Sequence, residues 1–207
     1  MEKLGYIFIL LLSFSCSTQN SLNPRYEKEK ANSEILIFQK VLVDEWNDPE
    51  KTPLKAEEKD NFQGIHFFPV DLNYRVQADF IPILEGKTHP FPTSANKIKY
   101  YKEYGKIHFI LHSKSFELTL YQSDPPIEGY ETSLFLPFMD ETNGETTYGG
   151  GRYLDLEISD IKNQKVWVDF NQAYNPYCAY SSHYNCPIPP ANNFLETQIR
   201  AGVSYTP

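Results

Sequence analysis

From Ser33 to Trp46 the apolar residues Ile35, Phe38, Leu42 and Trp46 recur at steps of three and four. That period gathers them on one stripe and predicts an amphipathic helix packed against a sheet. Ser33 suits its cap, and Asp48-Pro49 suits its stop. Thr52 to Phe62 predicts a second, short helical stretch with Pro53 at its first position. The period then falls to two. Ile65–Val70 and Tyr74–Ile81 predict strands across an Asp71-Leu72-Asn73 turn. Residues 82–96 read as a long polar, proline-containing connection. Lys106–His112 and Phe116–Tyr121 predict a hairpin with Ile107, Phe109, Leu111, Phe116, Leu118 and Leu120 facing one core. Ser133–Phe138 reads as a buried strand, Tyr153–Ile158 and Val166–Phe170 alternate, and Leu195–Val203 is expected to supply the last strand. Many strands with one substantial helix predict a mainly β domain: a β-sandwich or open barrel with the helix packed on it.

The first residues change the picture of where this domain works. Lys3 precedes an apolar run, Tyr6 to Leu12, that is too short to span a bilayer. It has the build of a secretory signal over residues 1–15. Ser15-Cys16 resembles a bacterial lipoprotein cleavage site, which makes Cys16 the expected lipidated residue; a plain signal peptide is the alternative. Residues 16–32 then form a polar tether, and 33–207 a single β-rich domain. The expected address is the bacterial cell envelope, lipid-anchored at the outer membrane or periplasmic face. A net charge of −8 without a basic patch argues against nucleic acid.

Candidate chemistry concentrates in two stretches. In the first, residues 166–190, a strand runs into a stiff loop carrying Asp169, Asn171, Tyr174, Asn175, Cys178, His183 and Cys186. In an exported protein Cys178 and Cys186 are expected to form a disulfide. Two other readings stay open: a metal held by both cysteines and His183, or a cysteine nucleophile activated by His183. Asp169, Asn171 and Asn175 either face a ligand or close turns through their own backbone. In the second stretch Asp140 opens a turn and Gly149-Gly150-Gly151 precede Arg152 and Tyr153. Arg152 has the fork geometry to bind a carboxylate or phosphate, or to pair internally with Asp155 or Asp169. The glycines equally suit close backbone packing. These residues do not name a particular cofactor.

The stretches Gly64-Ile-His-Phe-Phe-Pro-Val-Asp-Leu-Asn-Tyr-Arg-Val76, Leu134-Phe-Leu-Pro-Phe-Met-Asp140, Thr147-Tyr-Gly-Gly-Gly-Arg-Tyr-Leu-Asp155 and Asp169-Phe-Asn-Gln-Ala-Tyr-Asn-Pro-Tyr-Cys-Ala-Tyr180 resemble the family known as domain of unknown function 1684. Cys186-Pro-Ile-Pro-Pro190, Asn193 and Ala201-Gly202 fit the same pattern. The resemblance implies an uncharacterised bacterial family, some of whose members are exported lipoproteins, and brings no reaction, ligand or catalytic residue. Members that look cytoplasmic also carry the paired cysteines, which weakens the disulfide reading and gives some added weight to the thiol and metal readings. The function expected from these features is a non-catalytic binding or interaction lipoprotein, whose tyrosine-rich loops suit a carbohydrate or peptide ligand. The rival is a hydrolase using Cys178 or a bound metal with His183, Asp169 and Arg152. A purely structural envelope protein is the third.

Overall fold

The structure is a computed structural model and describes residues 24–95 and 97–205. Cys16 and the signal segment lie outside them. Helix α1 runs Pro24–Asn47 and so begins inside the stretch expected to be a tether. Pro24 fits a first helical position, and the i,i+4 pairs Arg25–Glu29 and Lys30–Glu34 support the early turns. Ala31, Ile35 and Trp46 are its buried positions. The helix lies against the 3-10 turns Leu72–Tyr74 and Phe170–Gln172, and Glu34 pairs with Arg75 at 2.9 Å. The second helix is only α2, Ala56–Lys59, begun by Lys55 with Glu58 reaching back to its backbone N–H.

The strands are β1 (His66–Phe67), β2 (Arg75–Pro82), β3 (Thr88–Pro92), β4 (Ile98–Leu111), β5 (Lys114–Ser123), β6 (Ser133–Asp140), β7 (Arg152–Glu157), β8 (Lys165–Asp169), β9 (Phe194–Leu195) and β10 (Val203–Ser204). One sheet runs β7-β6-β5-β4-β2-β8, with β3 also on β4 and β9 on β6. It curls into a half-barrel. This is the open-barrel form of the expectation, since β7 and β8 end the sheet without pairing. The concave face holds the core: Ile107, Phe109, Leu111, Leu118, Leu120, Leu134, Leu136, Phe138, Leu154, Val166, Val168 and Phe170 are all buried in one cluster.

The β4–β5 hairpin turns through His112 and Ser113, both at positive φ, one position earlier than the expected link. Three expectations are corrected. The long connection 82–96 contains β3, which pairs with residues 98–102 of a β4 that starts well before Lys106. Its Pro90 and Pro92 are tolerated because β3 is an edge strand. Ile65–Val70 shortens to the two residues of β1. Leu195–Val203 is not a strand: β9 and β10 are its ends, and Gly202 breaks the run at φ +73°.

The convex face is not left to solvent. The chain from Tyr174 to Pro187 straps it, bridging Tyr153 on β7 at one end and Thr93 beyond β3 at the other. Under the strap Phe91, Tyr101, Phe135, Tyr153 and Tyr174 form a continuous run of ring contacts, each with centroids between 4.8 and 5.9 Å apart. Ser133–Asp140 is therefore apolar on both sides for two different reasons. Leu134, Leu136 and Phe138 face the core, while Phe135 belongs to the aromatic layer.

Candidate aromatic cleft

Asp140 and Arg152 end β6 and begin β7, on the core side. Arg152 is fully buried. Its Nη2 donates to Asp140 Oδ2 at 2.8 Å and to the Ile199 carbonyl at 2.7 Å, and its Nη1 donates to the Ala201 carbonyl at 2.5 Å. Its guanidinium stacks on Phe138, 5.3 Å from the ring centroid. Asp140 Oδ1 accepts from Thr142 N, Thr142 Oγ1 and Ile199 N. Burial pulls the guanidinium pKa down, against the opposing pull of Asp140. This is a knot tying the C-terminal segment to the β6–β7 hairpin. The expectation that Arg152 faces an outside anion, or pairs with Asp155 or Asp169, is corrected. The glycines before it serve packing: at Gly151, with φ +86°, a Cβ would meet Pro189 Cγ at 2.6 Å and the Phe138 carbonyl at 2.8 Å.

Asp169 and Asn171 are interior as well. Asp169 Oδ1 accepts from Asn171 N and Nδ2, and Oδ2 accepts from Arg75 at 3.1 Å. Asn171 completes the join by accepting from Asp71 N and donating to the Asp71 carbonyl, both at 3.0 Å. The turn-closing role of these residues is the one the structure displays. The two sequence motifs do meet, with Gly202 packed against the Phe170 and Ala173 carbonyls beside the Arg152-bound segment. They meet inside the protein rather than at an open site.

Cys178 and Cys186 are joined, with Cα atoms 6.0 Å apart. The bond removes both sulfurs from the nucleophile and metal readings. Ser94 Oγ lies 2.9 Å from Cys178 Sγ and accepts from Cys186 N, anchoring the bridge to the loop after β3. Among the described residues no group of His, Cys, Asp and Glu side chains is placed to hold a metal ion, His183 included. His183 Nδ1 meets Ser181 Oγ at 2.5 Å, and Ser181 Oγ donates to Glu58 Oε1 at 2.8 Å. This resembles a serine triad in composition only. The serine proton goes to the glutamate, and Ser181 is buried, so Ser181 is not placed as a free nucleophile. The set Cys178, His183, Asp169 and Arg152 does not converge, and the hydrolase built on it is withdrawn.

Tyr153, Tyr174 and Asn175 belong to an open feature. Between α1 and the strap lies a cleft of about 200 Å³ whose walls include Glu45, Trp46, Asp155, Tyr174, Asn175 and Tyr177. A second hollow of about 250 Å³ adjoins it, lined by Tyr101, Tyr153, Tyr184 and Cys186, and shares Tyr174 and Tyr177 with the first. Trp46 is held edge-on by Tyr177 and Tyr180, with centroids at 5.7 and 4.7 Å. Tyr153 donates its hydroxyl to the Pro187 carbonyl, fixing the strap to the aromatic layer. Burial pushes the phenols of Tyr101 and Tyr180 up to about 12. Tyr174 donates to Asp155 Oδ2 at 2.6 Å.

The sequence marks Asp155 only as a partner for Arg152, and it does not mark Glu45 or Trp46 as site residues. A signal for Asp155 existed. Leu154 and Leu156 point to the core, so Tyr153 and Asp155 must share the other face with Phe135. No comparable local pattern marks Glu45 or Trp46, which reach the cleft only because α1 crosses the strap.

Asp155 is solvent-exposed at the mouth of the cleft, and partial desolvation raises its carboxyl pKa from the ordinary value of 3.8, with Tyr174 opposing and Glu157 adding to the rise. A raised carboxyl pKa means that the folded state disfavours the charge. The penalty is present at neutral pH and is relieved as pH falls through the folded value towards 3.8. Solvent screens so exposed a charge, so Asp155→Asn is expected to raise the melting temperature only slightly at pH 7, with the gain fading in melts below pH 4. A variant that is less stable at pH 7, or a gain that persists in acid, would contradict this.

No curated protein matches the chain. A solved structure does: the solution NMR structure of an uncharacterized protein from gene locus rrnAC0354 of Haloarcula marismortui. It is 30% identical, with a TM-score of 0.69, over 87% of this chain and 97% of that one. That protein is from an archaeon. The model of the family described as protein of unknown function (DUF1684) matches residues 60–204. That span runs from the end of α2 to β10 and takes in the curled sheet, the Asp140–Arg152 knot and the strap over the aromatic layer, so the chain belongs to the DUF1684 family.

Proposed function

We propose that this protein is a non-catalytic ligand-binding module of the bacterial cell envelope, lipid-anchored through Cys16, that takes a carbohydrate or peptide into the cleft beneath its strap. The observation that carries this reading is the ring-walled cleft itself. Rings that are buttressed by other rings present contact area with little rotamer entropy left to lose on binding. The groups with catalytic potential are committed elsewhere: the sulfurs to each other, Ser181 to Glu58, and Arg152 to the core. The acidic surface accords with a partner other than nucleic acid.

The chain has two tryptophans, and Trp46 lies in the cleft while Trp167 stands beside Arg75 elsewhere. In a Trp167→Phe variant, emission therefore reports the cleft alone. Titration with chitotetraose and with tripeptides Gly-X-Gly is expected to give a saturable change for one class. Tyr177→Ala should weaken that binding by about tenfold, the weight of one aromatic contact. Flat titrations with both classes would overturn the reading. The anchor is tested separately, by mass spectrometry of the mature protein for a diacylglyceryl group on Cys16.

A further inference from the structure

We infer that the cleft between α1 and the strap recognises a positively charged group, and that its ligand is a peptide presenting a basic side chain. This rests on the binding-module reading and selects within it. Two carboxylates, Asp155 and Glu45, open into the cleft, and among the described residues no lysine, arginine or histidine lines it. Tyr174 donates its hydroxyl to Asp155 at 2.6 Å, and Tyr177 lines the cleft beside Glu45. Hydroxyl donors orient a carboxylate without neutralising it.

The second observation is independent of the acidic pair. Asn175 is 3% exposed; its Nδ2 donates to Tyr180 at 2.8 Å, but its Oδ1 has no partner and the residue lines the same cleft. A buried amide oxygen left unpaired costs about 1–3 kcal/mol, so a donor brought by a ligand finds an acceptor already desolvated. Carboxylate, carboxylate and amide oxygen make an acceptor-only set, and the walls around it include the rings of Trp46, Tyr174, Tyr177 and Tyr180. An ammonium or guanidinium satisfies all of these at once, through charge, N–H donation and ring contact. A sugar hydroxyl would use the acceptors and leave the negative charge unbalanced. The cleft volume of about 200 Å³ suits one side chain rather than a whole oligomer, and the adjoining hollow under Tyr184 offers room for flanking residues.

The test compares Gly-Lys-Gly with its neutral counterpart Gly-norleucine-Gly by isothermal titration and by NMR shift mapping on the intact soluble domain. The lysine peptide is expected to bind roughly tenfold more tightly or better, with shifts centred on Trp46 and Asn175. Asp155→Asn should bring the two peptides close to equal affinity while its melting curve shows a folded protein. Glu45→Gln, at a partly exposed position in the last turns of α1, gives a second variant expected to reduce the preference. Equal binding of the two peptides by the wild type, or a lysine preference unchanged in Asp155→Asn, would overturn the inference and leave a binding module standing. Binding of chitotetraose alone would do the same. Absence of binding by any of the three probes would remove both.

Discussion

Arg152→Met is expected to destabilise the protein by about 3–5 kcal/mol, lowering the melting temperature by roughly 10 °C. Methionine keeps much of the stem's volume but none of its donors. The Asp140 carboxylate is 2% exposed, and it would lose its only ion-pair partner among the described residues. The carbonyls of Ile199 and Ala201, held at 2.7 and 2.5 Å by the fork, would be left without that donor. Ile199 and Ala201 are core residues, so the loss spreads into the hydrophobic cluster. Arg152→Lys should recover little, because one ammonium cannot reach acceptors set out for a planar fork. Adding Asp140→Asn to Arg152→Met should return part of the loss, since it removes the stranded charge. Chemical denaturation measures all four proteins. A single Arg152→Met variant within about 1 kcal/mol of wild type would show that the knot is not what holds the C-terminal segment.

The knot also explains why the candidate residues were harder to read than the fold. Alternation exposes which side of a strand is apolar, and Ile107, Phe109 and Leu111 against Leu118 and Leu120 could be paired from sequence alone. Alternation does not reveal that the polar side has a cover. Tyr101, Phe135 and Tyr153 lie on that side and are roofed by a strap whose ends attach at Tyr153 and Thr93, and those attachments depend on the folded sheet. Polar residues in motif loops carry the same ambiguity. Asp140, Arg152, Asp169 and Asn171 have the composition of a recognition site, yet their partners are backbone groups 47, 49 and 100 positions distant as well as each other. A polar side chain that must satisfy such distant backbone is as constrained as one that must meet a ligand, and residue type does not separate the two cases. The helix start is hidden in the sequence for a simpler reason. Pro24 to Asn32 has no apolar stripe beyond Ala31, and it is carried by ion pairs along its own surface.

The strap connects these structural devices to the cleft, which makes its covalent tie the other point of large effect. Replacing both Cys178 and Cys186 by alanine is expected to lower stability by about 2.5 kcal/mol, the chain-entropy value for closing so short a loop, and the melting temperature by roughly 5–10 °C. Function should suffer more than that figure suggests. Tyr177 and Tyr184 meet at 5.0 Å on either side of the bridge, and Cys186 itself lines the hollow next to the cleft. Without the bridge, Tyr184 loses the tie that fixes it against Tyr177, while Tyr153 still holds the strap through the Pro187 carbonyl. The strap should therefore stay attached at its far end and loosen in the middle, so that the rings must be ordered at the moment of binding. Wild-type protein melted with and without reductant should show the same difference as wild type against the double variant, and reductant should leave the variant unchanged. If wild type and variant melt together, or if reductant shifts both, the bridge does not stabilise the strap and the rings of the cleft are held by packing alone.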